Sequence, residues 1–510
     1  MYDYIIVGGG AAGCTLAHRL TEDPSVEVLL LESGNPEENR TAVKDPTRVW
    51  DLLGSDIDWG FETEPQPGLN GRSIAWPRGK ALGGSTVING MAYVRGHAYD
   101  FDNWADLGND GWGYDDLLPY FKRSENLTAE GDAEYHGTDG PLTVSRGEEP
   151  NDLDQTLIEA AEEVGFERNT DFNGERQTGV GLYHSTIADG HRHSTAAAFI
   201  KPILDRDNLH IETGAHVTEL TFSGDTATGV VYNKGWTSDQ AAIAEDGEVV
   251  LSAGAIQSPQ LLMLSGIGPA DHLEEHDIDV KVDLPGVGRN LQDHLRVDVA
   301  FETTEEVESV TDKAGRGSRY DRVSVGAFKR SDPDPPAPDM QFGMAPGLSP
   351  QNPGSGYAIT VLPLRPTSRG RLTLTSDDPF DHPKIDPNYL STEKDVDDFV
   401  TCVRWARKIG EADALADIRD EEHRPGPDAE SDEAIAEYIR NHAVTGYHAT
   451  CTAKMGDDEM AVVDDDLRVH GLNSLRVIDA SVMPQITSGN TNAPTIAIAE
   501  KGADLLKEAQ

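Results

Sequence analysis

Three glycines near the start of the chain, Gly8, Gly10 and Gly13, stand at GxGxxG spacing in YDYIIVGGGAAG. In such a run the first glycine permits a tight turn, the second lets the backbone approach a pyrophosphate, and the third lets a helix pack closely on a strand. The helix that follows offers free N–H groups and a positive dipole end to an anion. Glu32 lies 19 residues beyond Gly13. A carboxylate there, closing the second apolar run, can accept hydrogen bonds from ribose hydroxyls. This chemistry is dinucleotide binding, and the motif does not separate FAD from NAD. A second group lies far downstream. His448 sits among small residues in YHATCTAKMG, and Asn490 and Asn492 lie in SGNTNAPT. An imidazole that is neutral near pH 7 can accept a proton, and an amide N–H can stabilise a developing alkoxide.

The elements that must position these groups are legible in outline. YDYIIVG and VEVLLLE are short apolar runs suited to buried parallel strands, and AAGCTLAHRL between them has helical character. Together they predict the opening βαβ unit of a doubly wound α/β domain. Residues 151–165 predict an amphipathic helix with an acidic face. HIETGAHVTELTF and GEVVLSAG alternate like strands. From about 300 to 330 the chain is polar and charge-rich and predicts a surface excursion. SDPDPPAPD reads as a loop, YAITVLPLRP and GRLTLTS as neighbouring strands, and 393–440 as helices interrupted by RPGPD.

The stretch GKALGGSTVINGMAYVRG, from Gly79 to Gly96, resembles the first signature of the glucose–methanol–choline (GMC) oxidoreductase family. GAIQSPQLLMLSGIGP, from Gly254 to Pro269, resembles the second. The likeness extends over essentially the whole chain, and choline-dehydrogenase-like members resemble it most. It implies a Rossmann-like FAD-binding domain with a doubly wound parallel sheet, made of 1–150, 193–297 and 442–510. It also implies an α+β substrate domain with an antiparallel sheet, made of 151–192 and 298–441. The implied reaction is oxidation of an alcohol to an aldehyde or ketone, with hydride passing to FAD and then to an acceptor such as oxygen or a quinone. A hydroxynitrile-lyase-like activity on the same scaffold, or flavin binding without catalysis, are the alternatives.

The resemblance also assigns residues. Gly83, Gly84, Ser85, Asn89 and Gly90 become flavin contacts, Val217 meets the adenine end through its backbone, and Asp479 and Ala480 lie at the ribityl and pyrophosphate. Ile88 occupies the position from which a histidine tethers FAD in some members, so FAD is expected to be non-covalent. His448 becomes the base, with Asn490 as its partner, or Asn492 if the register slips. Ser258-Pro259 suggests a turn leading into a helix, and His294, in VDLPGVGRNLQDH, reads as structural or capping. Many members carry proline after the catalytic histidine. Here Ala449 follows it, and Cys451 nearby reads as an inert packing thiol. A choline site would need an aromatic cage and a carboxylate, which the sequence does not locate.

Composition narrows the class further. The 510 residues are 37% hydrophobic, enough for a sizeable core in two or three domains. No apolar run reaches membrane-spanning length, and the first strand begins at Tyr2 with no leader before it. Three cysteines, Cys14, Cys402 and Cys451, give no disulfide framework or metal motif, which fits a reducing cytoplasm. Ninety acidic against 42 basic side chains leave a formal charge of -48, which excludes nucleic acid and anionic lipid as partners. Self-repulsion on that scale opposes compaction unless salt screens it. The melting temperature is therefore expected to rise between low and multimolar KCl. A flat or falling melting temperature in that titration refutes a salt-adapted surface.

Overall fold

The computed structural model describes residues 1–146, 150, 152–304, 324–348 and 356–509. The chain opens as β1 (Tyr2–Val7), α1 (Ala11–Leu20) and β2 (Val28–Glu32). All five residues of β2 are buried, as an unbroken apolar strand covered on both faces requires. Further on come β3 (Leu209–Thr213), β4 (Ala215–Ser223), β5 (Thr226–Lys234), β6 (Thr237–Leu251), α2 (Gly254–Leu264), β7 (Leu475–Val477) and α3 (Asn492–Glu508). The strands β3, β2, β1 and β6 lie side by side and parallel, and β7 adds to β6, also in parallel. The long strand β6 then runs on into an antiparallel meander with β5 and β4.

Because β2 lies on one side of β1 and β6 on the other, the strand order switches at the carboxyl ends of β1 and β6. Open α/β sheets bind their ligands in the crevice at such a switch. Gly8 makes the turn out of β1 with a φ of 101°, a conformation that side-chain-bearing residues rarely adopt. A Cβ on Gly13 would stand 1.9 Å from the Gly8 carbonyl oxygen, so α1 can lie on β1 only because residue 13 has no side chain. The helix α3, entering from the other end of the sequence, packs on α1. The Tyr4 hydroxyl ties it to the sheet by donating to the Leu506 carbonyl at 3.0 Å.

A second sheet is antiparallel. Its order is Arg419–Arg424, Leu295–Thr303, Gly356–Pro363, Met340–Pro346, Val325–Lys329 and Gly179–Leu182, and Val444–Thr445 pairs onto the start of the second of these. The helix Glu393–Gly410 packs across the strands Gly356–Pro363 and Leu295–Thr303.

Several sequence expectations are corrected. The helix near Ser258-Pro259 begins four residues earlier, at Gly254, and Pro259 lies inside it. Proline has no N–H to donate to the carbonyl four residues back, and that freed Ala255 carbonyl accepts the Thr452 hydroxyl at 2.6 Å instead. The strands Gly356–Pro363 and Gly370–Thr373 are not neighbours, since the latter pairs with Arg289–Leu291 and Lys384–Asp386. The polar excursion near 300–330 is bounded by buried strands, Leu295–Thr303 and Val325–Lys329, and its centre, 305–323, lies outside the described residues. The helix expected at 151–165 spans Asp152–Glu163.

Gly13→Ala should push α1 from β1 and cost about 1–3 kcal/mol, as overpacking of a close contact does. Urea unfolding read by circular dichroism checks this, and an unchanged midpoint would contradict the contact.

Candidate active site

One large cavity runs along the crevice. At one end it is lined by Glu32, Ser33, Ala215 and Val217, in the middle by Gly8, Gly10, Ala11, Gly254, Asp479 and Ala480, and at the other end by Gly84, Ser85, Asn89, Gly90, His448 and Asn490. Gly13 and Gly83 do not border it. Gly13 serves the packing of α1. The Gly83 N–H donates to the Gly9 carbonyl at 2.7 Å and so straps the two glycine loops together. A Cβ on Gly84 would approach the Cα of Gly10 to 2.7 Å, so these loops touch backbone to backbone.

The lining suits an extended dinucleotide. Helices α1, α2 and α3 all begin at this cavity, and α1 has neither a side-chain cap nor an acidic residue in its first turn. The uncompensated positive end of α1, beside Gly10 in the middle of the cavity, suits a pyrophosphate. A Cβ added to Gly90 or Gly254 would meet no atom within 4 Å, so open space borders both. The Glu32 carboxylate is held by the Gly9 and Gly34 N–H groups at 2.8 and 2.7 Å. Its burial raises its pKa to about 7. The Asp479 carboxylate is turned into the protein, where it accepts from Gly254 N–H at 2.8 Å, Ser258 Oγ at 2.5 Å and Ser481 N–H at 2.8 Å. It therefore caps α2, and borders the cavity without a free side-chain oxygen. Asn89 likewise has its side-chain oxygen occupied, by Arg192 at 2.7 Å. Arg78, unremarked in the sequence, borders the cavity beside Gly79 and carries a buried Nη2 with no partner. It is a free donor for a ring carbonyl.

At the far end the polar groups form a directed chain. The His294 Nε2 lies 3.1 Å from the Leu364 carbonyl, which can only accept, so this nitrogen carries the hydrogen. Burial drives the His294 pKa down to about 4, so the ring is neutral and its Nδ1 is bare. That Nδ1 lies 2.9 Å from His448 Nδ1 and must accept from it. The neutral His448 is left with a bare Nε2, which accepts from Asn490 Nδ2 at 3.0 Å. The Asn490 Oδ1 in turn accepts from Gln341 Nε2 at 3.1 Å, which also donates to the Tyr183 hydroxyl at 2.9 Å. These tautomers are assigned from the hydrogen-bond pattern. His448, 7% exposed, has its pKa pushed well below the ordinary histidine value by burial, and further by His294, Arg78 and Arg296.

The loop that carries His448 is pinned from below. The Asp293 carboxylate accepts from the His448 N–H at 2.7 Å, from Thr445 Oγ1 at 2.6 Å and from the Tyr389 hydroxyl. Gly446 passes so close that a Cβ there would lie 2.8 Å from the His294 carbonyl oxygen. Tyr447 and Cys451 on either side have φ of 69° and 74°, unusual for residues with side chains. Cys451 is fully buried with its thiol pKa raised to about 12 by that burial, as an inert thiol should be. Asn490 rather than Asn492 bonds His448; Asn492 begins α3 on the cavity wall. Sequence reasoning missed Arg78, Asp293, Arg296, Gln341 and Tyr183, and gave His294 only a structural part. The adjacency of Asp293 and His294 in NLQDH was the available signal for two of them.

A dinucleotide cradle that ends on a paired imidazole and carboxamide defines a flavin-dependent alcohol oxidoreductase. A family model for GMC oxidoreductase matches residues 2–296, and a second, for its C-terminal part, matches 366–499. The chain belongs to the GMC oxidoreductase family. It is 43% identical to human mitochondrial choline dehydrogenase, over 99% of this chain and 90% of that one. It is 42% identical to an alcohol dehydrogenase (acceptor) of Pseudomonas putida, over 99% and 96%. Among solved structures it resembles pyridoxine 4-oxidase from Mesorbium loti, with a TM-score of 0.92, 36% identity and 99% of both chains covered.

A depressed His448 pKa places the protonation of a base below the ordinary histidine range of about 6.5. In the free enzyme, kcat/KM should hold its plateau from pH 8 to below 6.5 and fall only as the pH drops further. His294→Ala removes the acceptor that sets the His448 tautomer. It should reduce the plateau about 10–100-fold. A wild-type limb above pH 6.5, or a full plateau in the variant, counts against the chain of hydrogen bonds.

Proposed function

We propose that the chain holds FAD non-covalently along this cavity and oxidises an alcohol, with His448 as the base and Asn490 as its partner. The observation that carries this reading is the bare His448 Nε2, facing the Asn490 N–H at the end of the glycine-lined cradle. FAD, when bound, supplies the acceptor for the hydride. Gly8, Gly10, Gly254 and the start of α1 would hold its pyrophosphate, Glu32 its ribose and Val217 its adenine end. Gly84, Ser85, Gly90 and Arg78 would hold the ring side. Ile88, buried on the cavity wall, has no atom able to form a tether.

A substrate hydroxyl entering between His448 and Asn490 would receive the Asn490 N–H and give its proton to Nε2. The resulting imidazolium would share its Nδ1 hydrogen with the bare Nδ1 of neutral His294. Asp293, through the backbone N–H of His448, keeps the ring where the hydroxyl arrives. Such preorganised groups need no reorientation during the reaction. We assign the strands around β1 and the antiparallel sheet to separate nucleotide and substrate domains, with 1–150, 193–297 and 442–510 forming the first and 151–192 and 298–441 the second. The physiological acceptor is read as oxygen or a quinone-type carrier. Among the described residues no helix is long and apolar enough to cross a membrane. The three cysteines are free and buried, which supports a cytoplasmic setting.

Anaerobic mixing with a reactive alcohol should bleach the flavin absorbance, and His448→Ala should slow that bleaching about 10²–10⁴-fold at unchanged flavin content. Acid precipitation should release all of the flavin. Full-rate bleaching by the variant overturns the base. A yellow pellet overturns non-covalent binding, and cleavage of a cyanohydrin without bleaching by any alcohol points to a lyase.

A further inference from the structure

The antiparallel sheet closes the His448 end of the cavity with Gln341, Gly343, Thr360, Leu362 and Arg296. Among the described residues no aspartate or glutamate borders the cavity there. Among those residues the only carboxylates on its wall are Glu32 and Asp479, both committed to backbone or hydroxyl donors at the nucleotide end. Arg296 does border it. This side chain is 7% exposed. Its Nε donates to the Thr445 carbonyl at 3.2 Å and its Nη2 to the Tyr447 hydroxyl at 3.2 Å. Its Nη1 forms an ion pair with Asp298 Oδ1 at 3.7 Å, a separation too long for a hydrogen bond. That carboxylate oxygen already accepts from Thr360 Oγ1 at 2.6 Å, and Asp298 does not border the cavity.

Two aromatic rings of the cavity wall are already engaged by this cation. The Arg296 guanidinium carbon lies 5.9 Å from the Trp50 ring centre and 5.5 Å from that of Tyr447, both within cation–π range. The indole N–H of Trp50 is buried without a partner. This corner thus combines a fixed guanidinium with an unused neutral donor. The Gln341 Oε1 is also buried and unpartnered. A quaternary ammonium would meet a like charge, occupied aromatic faces and no carboxylate, and it has no N–H for Gln341.

We propose that Arg296 and the Trp50 N–H form an anion subsite, and that the substrate is an alcohol bearing a carboxylate rather than a quaternary ammonium. The inference rests on the alcohol-oxidation reading for the role of the bound molecule, while the subsite itself rests only on these side chains. A planar carboxylate suits the guanidinium edge, and placing it there leaves the hydroxyl end of the molecule free for His448. Arg296 is a specificity-determining residue here.

The experiment compares three alcohols of similar size on the flavin-loaded enzyme: hydroxypropanoate, choline and dimethylbutanol, the neutral carbon isostere of choline. A parallel titration follows the flavin absorbance with propanoate and with tetramethylammonium, neither of which is oxidised. Hydroxypropanoate should have the highest kcat/KM and choline the lowest. Propanoate should perturb the spectrum and tetramethylammonium should not. Arg296→Gln should raise the Kd of propanoate and the KM of hydroxypropanoate about 10–100-fold, the loss of hydrogen bonds to a charged group. Any loss through the His448 loop falls on every alcohol alike, so the ratio of kcat/KM for hydroxypropanoate to that for dimethylbutanol should fall about 10–100-fold. Arg296→Lys should restore part of the affinity, and Trp50→Phe, which removes the N–H together with one ring of the indole, should weaken propanoate severalfold. A preference for choline, or an equal loss for all three alcohols in Arg296→Gln at full flavin content, overturns the proposal. Propanoate binding through Arg296 with no alcohol oxidised would instead remove the alcohol-oxidation reading and leave the subsite. Alcohol turnover without any dependence on charge would do the reverse.

Discussion

The Leu364 carbonyl can only accept a hydrogen bond, and the state of His448 Nε2, the proposed base, follows from that restriction. With one hydrogen per neutral ring, fixing it on His294 Nε2 bares Nδ1, draws the His448 hydrogen to its own Nδ1 and leaves Nε2 open to the cavity. No charge is needed for this directionality, and burial keeps it so by making either imidazolium costly. The proposed role of His448, a base unprotonated before the substrate arrives, is better served by such a neutral relay than by a carboxylate against the ring. A carboxylate partner would raise the pKa and favour the protonated form. The carboxylate that is present, Asp293, instead takes the backbone N–H of His448 and acts on position.

Bringing that relay to the flavin cradle is a problem of topology. His294 and Asp293 immediately precede a strand of the antiparallel sheet, Leu364 follows another, and Gln341 lies on a third. His448 and Asn490 belong to the segment that returns to the parallel sheet through β7 and α3. The relay therefore straddles the two sheets, and the short pairing of Leu295–Arg296 with Val444–Thr445 sets its register. A one-residue slip there would exchange which side chains face the cavity. The triple anchoring of Asp293 resists such a slip.

The part of this arrangement that was legible in the sequence is the part that depends on local backbone chemistry. Gly8, Gly10 and Gly13 act through their missing side chains, and the strand–turn–helix context that surrounds them is contiguous. Glu32 is likewise fixed by its place at the end of a strand. Pro259 was misplaced because proline commonly marks a helix start, whereas here Thr452, distant in sequence, takes up the carbonyl it frees. Gln341 and Arg296 sit in strands whose alternation says only that they lie on the face opposite the large apolar residues. Whether that face is core, solvent or active site depends on what lies across from it. The relation of His294 to His448 is of the same kind. It spans 154 residues, and nothing near either residue announces it.

The acidic surface and the proposed cationic corner act over different distances. At low ionic strength a formal charge of -48 opposes the approach of any anion, a carboxylate-bearing alcohol included. The same field would draw a quaternary ammonium toward a cavity whose inner end, among the described residues, has no carboxylate for it. At about 1 M salt the screening length is near 3 Å, so the long-range field is lost. Contacts inside a desolvated cavity are screened far less. Selection then falls to Arg296 and Trp50, which act only at contact. An acidic shell and an anion-accepting site are therefore compatible in one molecule on the condition that the surrounding solution is salty enough to hide the first from the substrate of the second.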